Sequence, residues 1–162
     1  MFVKVKISEP YSKPIESDYC WFAHFIPPMI LMKVLLAVML VVVRHFSAGK
    51  GAISFSELKL AINLPTRIVN SVLRALVDAE QLLELPSEGK GFDRRFAPAK
   101  DIAAFTIYSI LEAVEHSGNS SIDLDSSREL REVSDELERI KDEVRSSQQN
   151  TKLVDIKTDP KE

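Results

Sequence analysis

The stretch from Ile53 to Leu85, ISFSELKLAINLPTRIVNSVLRALVDAEQLLEL, decides how this chain is read. Ser54-Phe55-Ser56-Glu57 has the spacing of a capping box, in which the Ser54 hydroxyl accepts from the Glu57 N–H and the Glu57 carboxylate reaches back. A helix therefore starts there and runs through Leu58, Ala61 and Ile62. It stops near Asn63-Leu64, because Pro65 disfavours α conformation in the residue before it, and Pro65 itself suits the first position of the next helix. From Pro65 to Ala79 the apolar residues Ile68, Val69, Val72, Leu73, Leu76 and Val77 recur as pairs every four residues. Arg67, Asn70, Ser71, Arg74 and Asp78 occupy the complementary face. That pattern predicts an amphipathic helix with one polar, solvent-ready side.

Downstream, Leu82 to Leu85 reads as a strand, Pro86-Ser87-Glu88-Gly89-Lys90-Gly91 as a turn, and Phe92 to Ala97 as a returning strand. Ala52-Ile53 is a short β-like segment ahead of the capping box. Two helices joined by a tight turn and followed by a β-hairpin predict a winged helix-turn-helix, with the chain mainly α. One position departs from that pattern: Glu80-Gln81 stands where such chains place Gly and an apolar residue. A left-handed Glu80 costs about 1 kcal/mol.

Upstream, the helical signal runs from Met29 to Phe46 and is broken by Ser47-Ala48-Gly49-Lys50-Gly51. Its most apolar part, Met29 to Val43, is interrupted by Lys33, preceded by Pro27-Pro28 and ended by Arg44-His45. The uninterrupted piece, Val34 to Val43, is about half of the roughly 20 residues a bilayer requires. A buried helix covered by neighbours on several sides is therefore expected. Tyr19, Trp21, Phe22 and Phe25 either cap that core or sit at a headgroup interface, and capping is the expectation. Residues 1–28 hold four of the eight prolines and read as an arm with one short strand at Phe2 to Ile7.

Beyond the hairpin, Asp101 to Phe105 reads as a connection and Thr106 to His116 as a helix closed by Ser117-Gly118. Residues 121–162 contain no aromatic side chain and carry eight basic against twelve acidic groups. Within them Leu130, Val133, Leu137, Ile140 and Val144 are spaced as a strict a/d stripe. Only about two heptads are present, too few to argue for a free-standing coiled coil. Docking on the preceding domain is the expectation, with Leu137→Asp destabilising the fold, and a homodimer stays open. Asn150 to Glu162 are expected to fray. The domain division is an arm at 1–28, a winged-helix domain at 29–118, and an amphipathic helix with an acidic tail at 119–162.

Composition bounds the function. With 45% hydrophobic and 28% charged residues among 162, the chain is an ordinary globular one and not a fibrous or wholly disordered one. Its five glycines, against roughly eleven at average usage, suit a helix-rich chain. The net charge of −3 lacks the basic footprint of a nucleic-acid binder. Cys20 alone makes no internal disulfide and no cysteine-rich metal site, and the N-terminus has no secretory pattern. A cytoplasmic setting follows as the expectation.

At this point the residues resemble a known family. Ile53 to Leu85, continued by FAPAKDIAAFTIYSILEAVEHSGN (Phe96 to Asn119) and by SSQQNTKLVDI (Ser146 to Ile156), is similar to the cytosolic C-terminal winged-helix region of the YihY/BrkB membrane-protein family, once labelled ribonuclease BN. The strongest elements are Leu64-Pro65 with its following helix and Pro98-Ala99-Lys100-Asp101-Ile102. The resemblance implies a non-enzymatic interaction or regulatory module at the inner face of the cytoplasmic membrane, with a protein or membrane-domain partner. Because members carry a multi-helix membrane region upstream, a chain starting at Met1 would be a detached soluble part. The pattern is shared less specifically with Rrf2-type and other winged-helix regulators; Cys20 alone cannot supply an Rrf2 iron–sulfur cluster.

The alternative is a DNA-binding regulator of transcription. Thr66, Arg67, Asn70, Ser71 and Arg74 would face a major groove, with Lys90, Arg94 and Arg95 of the wing on phosphates. Against it, Asp78, Glu80, Glu84, Glu88 and Asp93 match the five cations of this surface one for one. Gly49-Lys50-Gly51 and Gly89-Lys90-Gly91 lack the spacing of phosphate loops and read as turns. Cys20 and His24 make an incomplete metal pair, unrelated in spacing to His45 and His116. No catalytic motif, cofactor site or small-molecule substrate site is legible, so no enzyme is expected.

Overall fold

The computed structural model describes residues 28–86, 93–118 and 127–157. Among them the order is α1 (Pro28–Ser47), β1 (Ile53–Ser54), α2 (Phe55–Ile62), α3 (Thr66–Asp78), β2 (Leu82–Leu85), β3 (Arg95–Pro98), α4 (Ile107–Ser117) and α5 (Arg128–Ser146). Short 3-10 turns lie at Ile102–Ala104 and Leu153–Asp155. The protein is mainly helical with a small antiparallel sheet. The expected strand at Phe2 to Ile7, the aromatics from Tyr19 to Phe25, the Cys20–His24 pair and Lys90 with its turn lie outside the described residues.

The capping box forms: the Glu57 N–H donates to Ser54 Oγ at 3.3 Å, and the Ser54 N–H donates to Glu57 Oε2 at 3.0 Å. α2 ends at Asn63 in the left-handed region (φ 50°), a conformation Asn tolerates better than most residues. Pro65 is displaced by one position from the expectation. With ψ 135° it is the N-cap and not the first helical residue, and its carbonyl accepts from the N–H groups of Ile68 and Val69. Val69, Val72, Leu73 and Leu76 of α3 are buried, as the spacing requires.

The three strands stand in the order β1-β3-β2, both pairs antiparallel. Ile53 faces Phe96, and Leu82 faces Pro98. Pro98 has no N–H to give a ladder and accordingly ends its strand. One core lies against the face of this sheet that carries Ile53, Leu82 and Phe96: Leu58, Leu73, Leu76, Leu82, Phe96, Phe105, Ile110 and Leu153 pack with the inner stripe of α1.

α1 departs from its expectation. Leu35, Val38, Met39, Val42 and Val43 are buried, a single stripe at helical spacing, whereas Met29, Ile30 and Met32 are exposed. Its neighbours α2, α3, β3 and the Leu153–Asp155 turn meet that one stripe, so an all-round apolar composition does not produce all-round cover. Lys33 interrupts the apolar run without interrupting the helix, and α1 is by length and composition long enough to cross a bilayer. The same test is passed by core helices, and α1 supplies the centre of this core.

Gly118 closes α4 as expected, in an extended conformation with φ −67°. One further expectation is corrected near the C-terminus. Residues 150–156 are ordered against the domain and do not fray. Leu153 is 1% exposed and its N–H donates to the Phe105 carbonyl at 2.9 Å. Arg44 Nη2 donates to the Ile156 carbonyl at 2.6 Å, tying the segment to the end of α1. The segment also serves α4, whose first N–H groups need partners from outside the helix. Ile107 donates to the Thr151 carbonyl, Tyr108 to Asn150 Oδ1, and Ser109 to Thr106 Oγ1.

Candidate functional site

Two surfaces carry the side chains nominated from the sequence. On α3, Thr66, Arg67 and Arg74 are exposed and Asn70 and Ser71 are half-buried. The described cations of the neighbouring hairpin, Arg94 and Arg95, are both tied back to the domain. Arg94 donates to Asn70 Oδ1, lies 3.7 Å from Glu84 Oε1, and stacks over the rings of Phe55 and Phe96 at 5.2 and 5.6 Å. A guanidinium held between two rings and two polar partners is a structural tie as much as a charge. Arg95 Nη2 donates to the Ala52 carbonyl at 3.1 Å. The structure thus brings Asn70 and Arg94 together but binds them to each other. Arg67 and Arg74 have no ion-pair partner among the described residues. Of the five carboxylates that balance this surface by count, Glu84 is the described one within 4 Å of a cation.

The second surface is α5. Ser127 caps it, accepting from the Leu130 N–H at 3.1 Å. Lys141 Nζ meets Glu115 Oε1 of α4 at 3.0 Å and Glu138 Oε1 at 3.2 Å. Arg145 pairs with Glu112 and Asp142, and its guanidinium lies 5.8 Å from the centre of the Tyr108 ring. The hydrogen bond that Lys141 donates to Glu115 raises the ammonium above its usual range, and the one that Arg145 donates to Glu112 does the same for the guanidinium. Burial raises the Tyr108 phenol, whose hydroxyl is enclosed with no hydrogen-bond partner among the described residues. Tyr108 lines a pocket of about 300 Å³ between α4 and α5, with Leu111, Val144, Gln149 and Asn150.

Of the a/d stripe, Val144 reaches that pocket, and Leu130, Val133, Leu137 and Ile140 lie outside it. Leu130, Val133, Leu137, Ile140 and Val144 are between 41% and 65% exposed. Helix α5 is therefore held on the domain by charge pairs at its flank with Val144 beside them, and the rest of its apolar face is not what docks it. Val133, Leu137 and Ile140 floor a shallow groove rimmed by Glu129, Glu132 and Glu136. Sequence reasoning nominated the stripe but missed the residues that hold it, Glu112 and Glu115. Their spacing of three matches that of Lys141 and Arg145 at four, yet nothing in one sequence says that the two helices are neighbours.

No group of three metal-binding side chains occurs among the described residues. His45 Nδ1 faces the Gly51 carbonyl at 3.2 Å, and His116 Nδ1 faces the Glu112 carbonyl at 2.8 Å. Comparison of the chain with protein-family models, with characterised proteins and with solved structures finds no match.

Proposed function

We propose that α1 to β3 form a winged helix-turn-helix, and that the domain is a non-enzymatic interaction module whose working surface is the apolar face of α5. The order helix, strand, helix, helix, strand, strand, with the first strand beside the last, supports the winged-helix reading. The likeness of Ile53 to Leu85 and Phe96 to Asn119 to the cytosolic region of YihY/BrkB proteins supports a cytoplasmic location at a membrane and a protein or membrane-domain partner. One observation carries the functional reading. Five apolar side chains at a/d spacing stay exposed on a helix that ion pairs fix to the domain. Isolated exposed leucines are ordinary, but a contiguous exposed apolar face rimmed by polar groups marks an interaction surface.

DNA binding is the second reading, favoured by the exposed Arg67 and Arg74 on α3, which have no ion-pair partner among the described residues. It is weaker because Arg94 and Asn70 are already bound to each other. Each neutralised phosphate contributes a salt slope of about −0.9, so few contacts mean weak binding. Fluorescence anisotropy with a mixed-sequence duplex, titrated from low to near-physiological salt, separates the two. The interaction reading expects no binding at near-physiological salt. Micromolar binding there, lost in the Arg67→Glu, Arg74→Glu double variant, would replace it with the DNA-binding one.

A further inference from the structure

The charges around the α5 stripe restrict what can cover it. With Leu130, Leu137 and Val144 at a positions and Val133 and Ile140 at d, the g positions are Glu129, Glu136 and Glu143, and the e positions are Ser134 and Lys141. A second copy running antiparallel would set one row of glutamates against the other. A parallel copy would need Lys141 for Glu136 of its mate, yet Lys141 is held by Glu115 and Glu138 and its side chain is 14% exposed. Leucine at a with β-branched residues at d also disfavours a two-stranded parallel pair. Self-pairing thus meets repulsion in one orientation and costs the α4 anchor in the other. An anionic lipid surface is opposed by the same rim, since α5 carries seven acidic against five basic groups and Lys141 and Arg145 are engaged by α4.

Building on the interaction reading, we infer that this groove takes an amphipathic helix of another protein whose apolar stripe is flanked by Lys or Arg. The partner's apolar residues would cover Val133, Leu137 and Ile140, and its cations would meet Glu129 and exchange with Arg128 and Arg139, exposed side chains that pair with Glu132 and Glu136 within α5 at 2.8 Å. The rim glutamates then set the choice of partner and its orientation, while the stripe supplies the burial.

The test uses the intact chain and two labelled three-heptad peptides with the same Leu/Ile a/d core, one with Lys at every e and g position and one with Glu. The Lys-flanked peptide should bind, more weakly at high salt, and the Glu-flanked one should bind at least about tenfold less. Leu137→Asp should abolish binding, and Glu132→Lys with Glu136→Lys should transfer the preference to the Glu-flanked peptide. Circular dichroism of both variants should match the parent. Equal binding of both peptides, binding of neither, Lys-peptide binding that survives Leu137→Asp, or a chain dimer that Leu137→Asp dissociates would each overturn the inference. Failure of the peptides without duplex binding removes the partner chemistry alone. Duplex binding lost with Arg67→Glu and Arg74→Glu removes the interaction reading on which it rests.

Discussion

Glu80 and Gly49 occupy the same place at two helix ends. After α1 the Gly49 N–H donates to the Phe46 carbonyl and the Lys50 N–H to that of His45. After α3 the Glu80 N–H donates to Val77 and the Gln81 N–H to Leu76. Both are Schellman ends, which need a left-handed residue; Gly49 adopts φ 74° freely and Glu80 adopts φ 56° at a cost. The reward at Glu80 is the placement of Gln81, buried, with its side chain on the Ala79 carbonyl and its own carbonyl accepting from Ala99. Glu80→Gly should therefore raise stability by about 0.5–1 kcal/mol in urea unfolding; a loss would show that the glutamate side chain contributes more than its backbone costs. Glu57 is a second single-residue case. Hydrogen bonds from the Ser54 N–H and hydroxyl hold its carboxyl below its usual value. A depressed folded pKa gives stability that is complete above the unfolded value and is lost as pH falls through the folded one. The melting-temperature gap between the parent and Glu57→Gln should accordingly be widest near about pH 7 and close towards about pH 3. Both features were legible, the capping box from spacing and the strained cap from the missing glycine.

At the scale of elements, the legible part ends where cover begins. Periodicity located α3 and α5 and the faces they would bury, because a helix imposes its period on whatever packs against it. For α3 the face found its core. For α5 the same kind of face stayed exposed, because what holds the helix is a pair of ion bridges between residues 26 and 33 positions apart. The closing segment was illegible for a related reason: Thr-Lys-Leu-Val-Asp-Ile has no period, and its partners Phe105 and Arg44 are remote in sequence. Partly exposed ion pairs of this kind contribute roughly 0.2–1 kcal/mol each and are screened by salt. Glu112→Gln with Glu115→Gln should thus speed amide exchange along α5 by up to about tenfold. Exchange in α1 and α3 should not change, and equal acceleration everywhere would mean that α5 is part of the cooperative core.

The molecule as a whole divides its work between two ends of one chain. α1 gathers α2, α3, β3 and the closing segment on a single stripe, so residues 38 and 153 belong to the same core although most of the sequence separates them. Helix α5 is anchored towards its C-terminal end, by Lys141 and Arg145 on α4 and by Asn150 on Tyr108, while most of its apolar face remains outside. The sequence pattern alone placed the mainly helical class and the stripe, and it expected the stripe to dock; the packing instead buries Leu153 of the closing segment and leaves most of the stripe exposed. One paired measurement tests this division directly, the melting temperatures of Leu153→Ala and Leu137→Asp beside the parent. Removing a buried leucine costs about 2–5 kcal/mol, so Leu153→Ala should lower the midpoint by at least about 5 °C, while Leu137→Asp should leave it within about 2 °C. A fall for Leu137→Asp as large as that for Leu153→Ala would contradict the account, because the α5 stripe would then be core and not a surface free to bind.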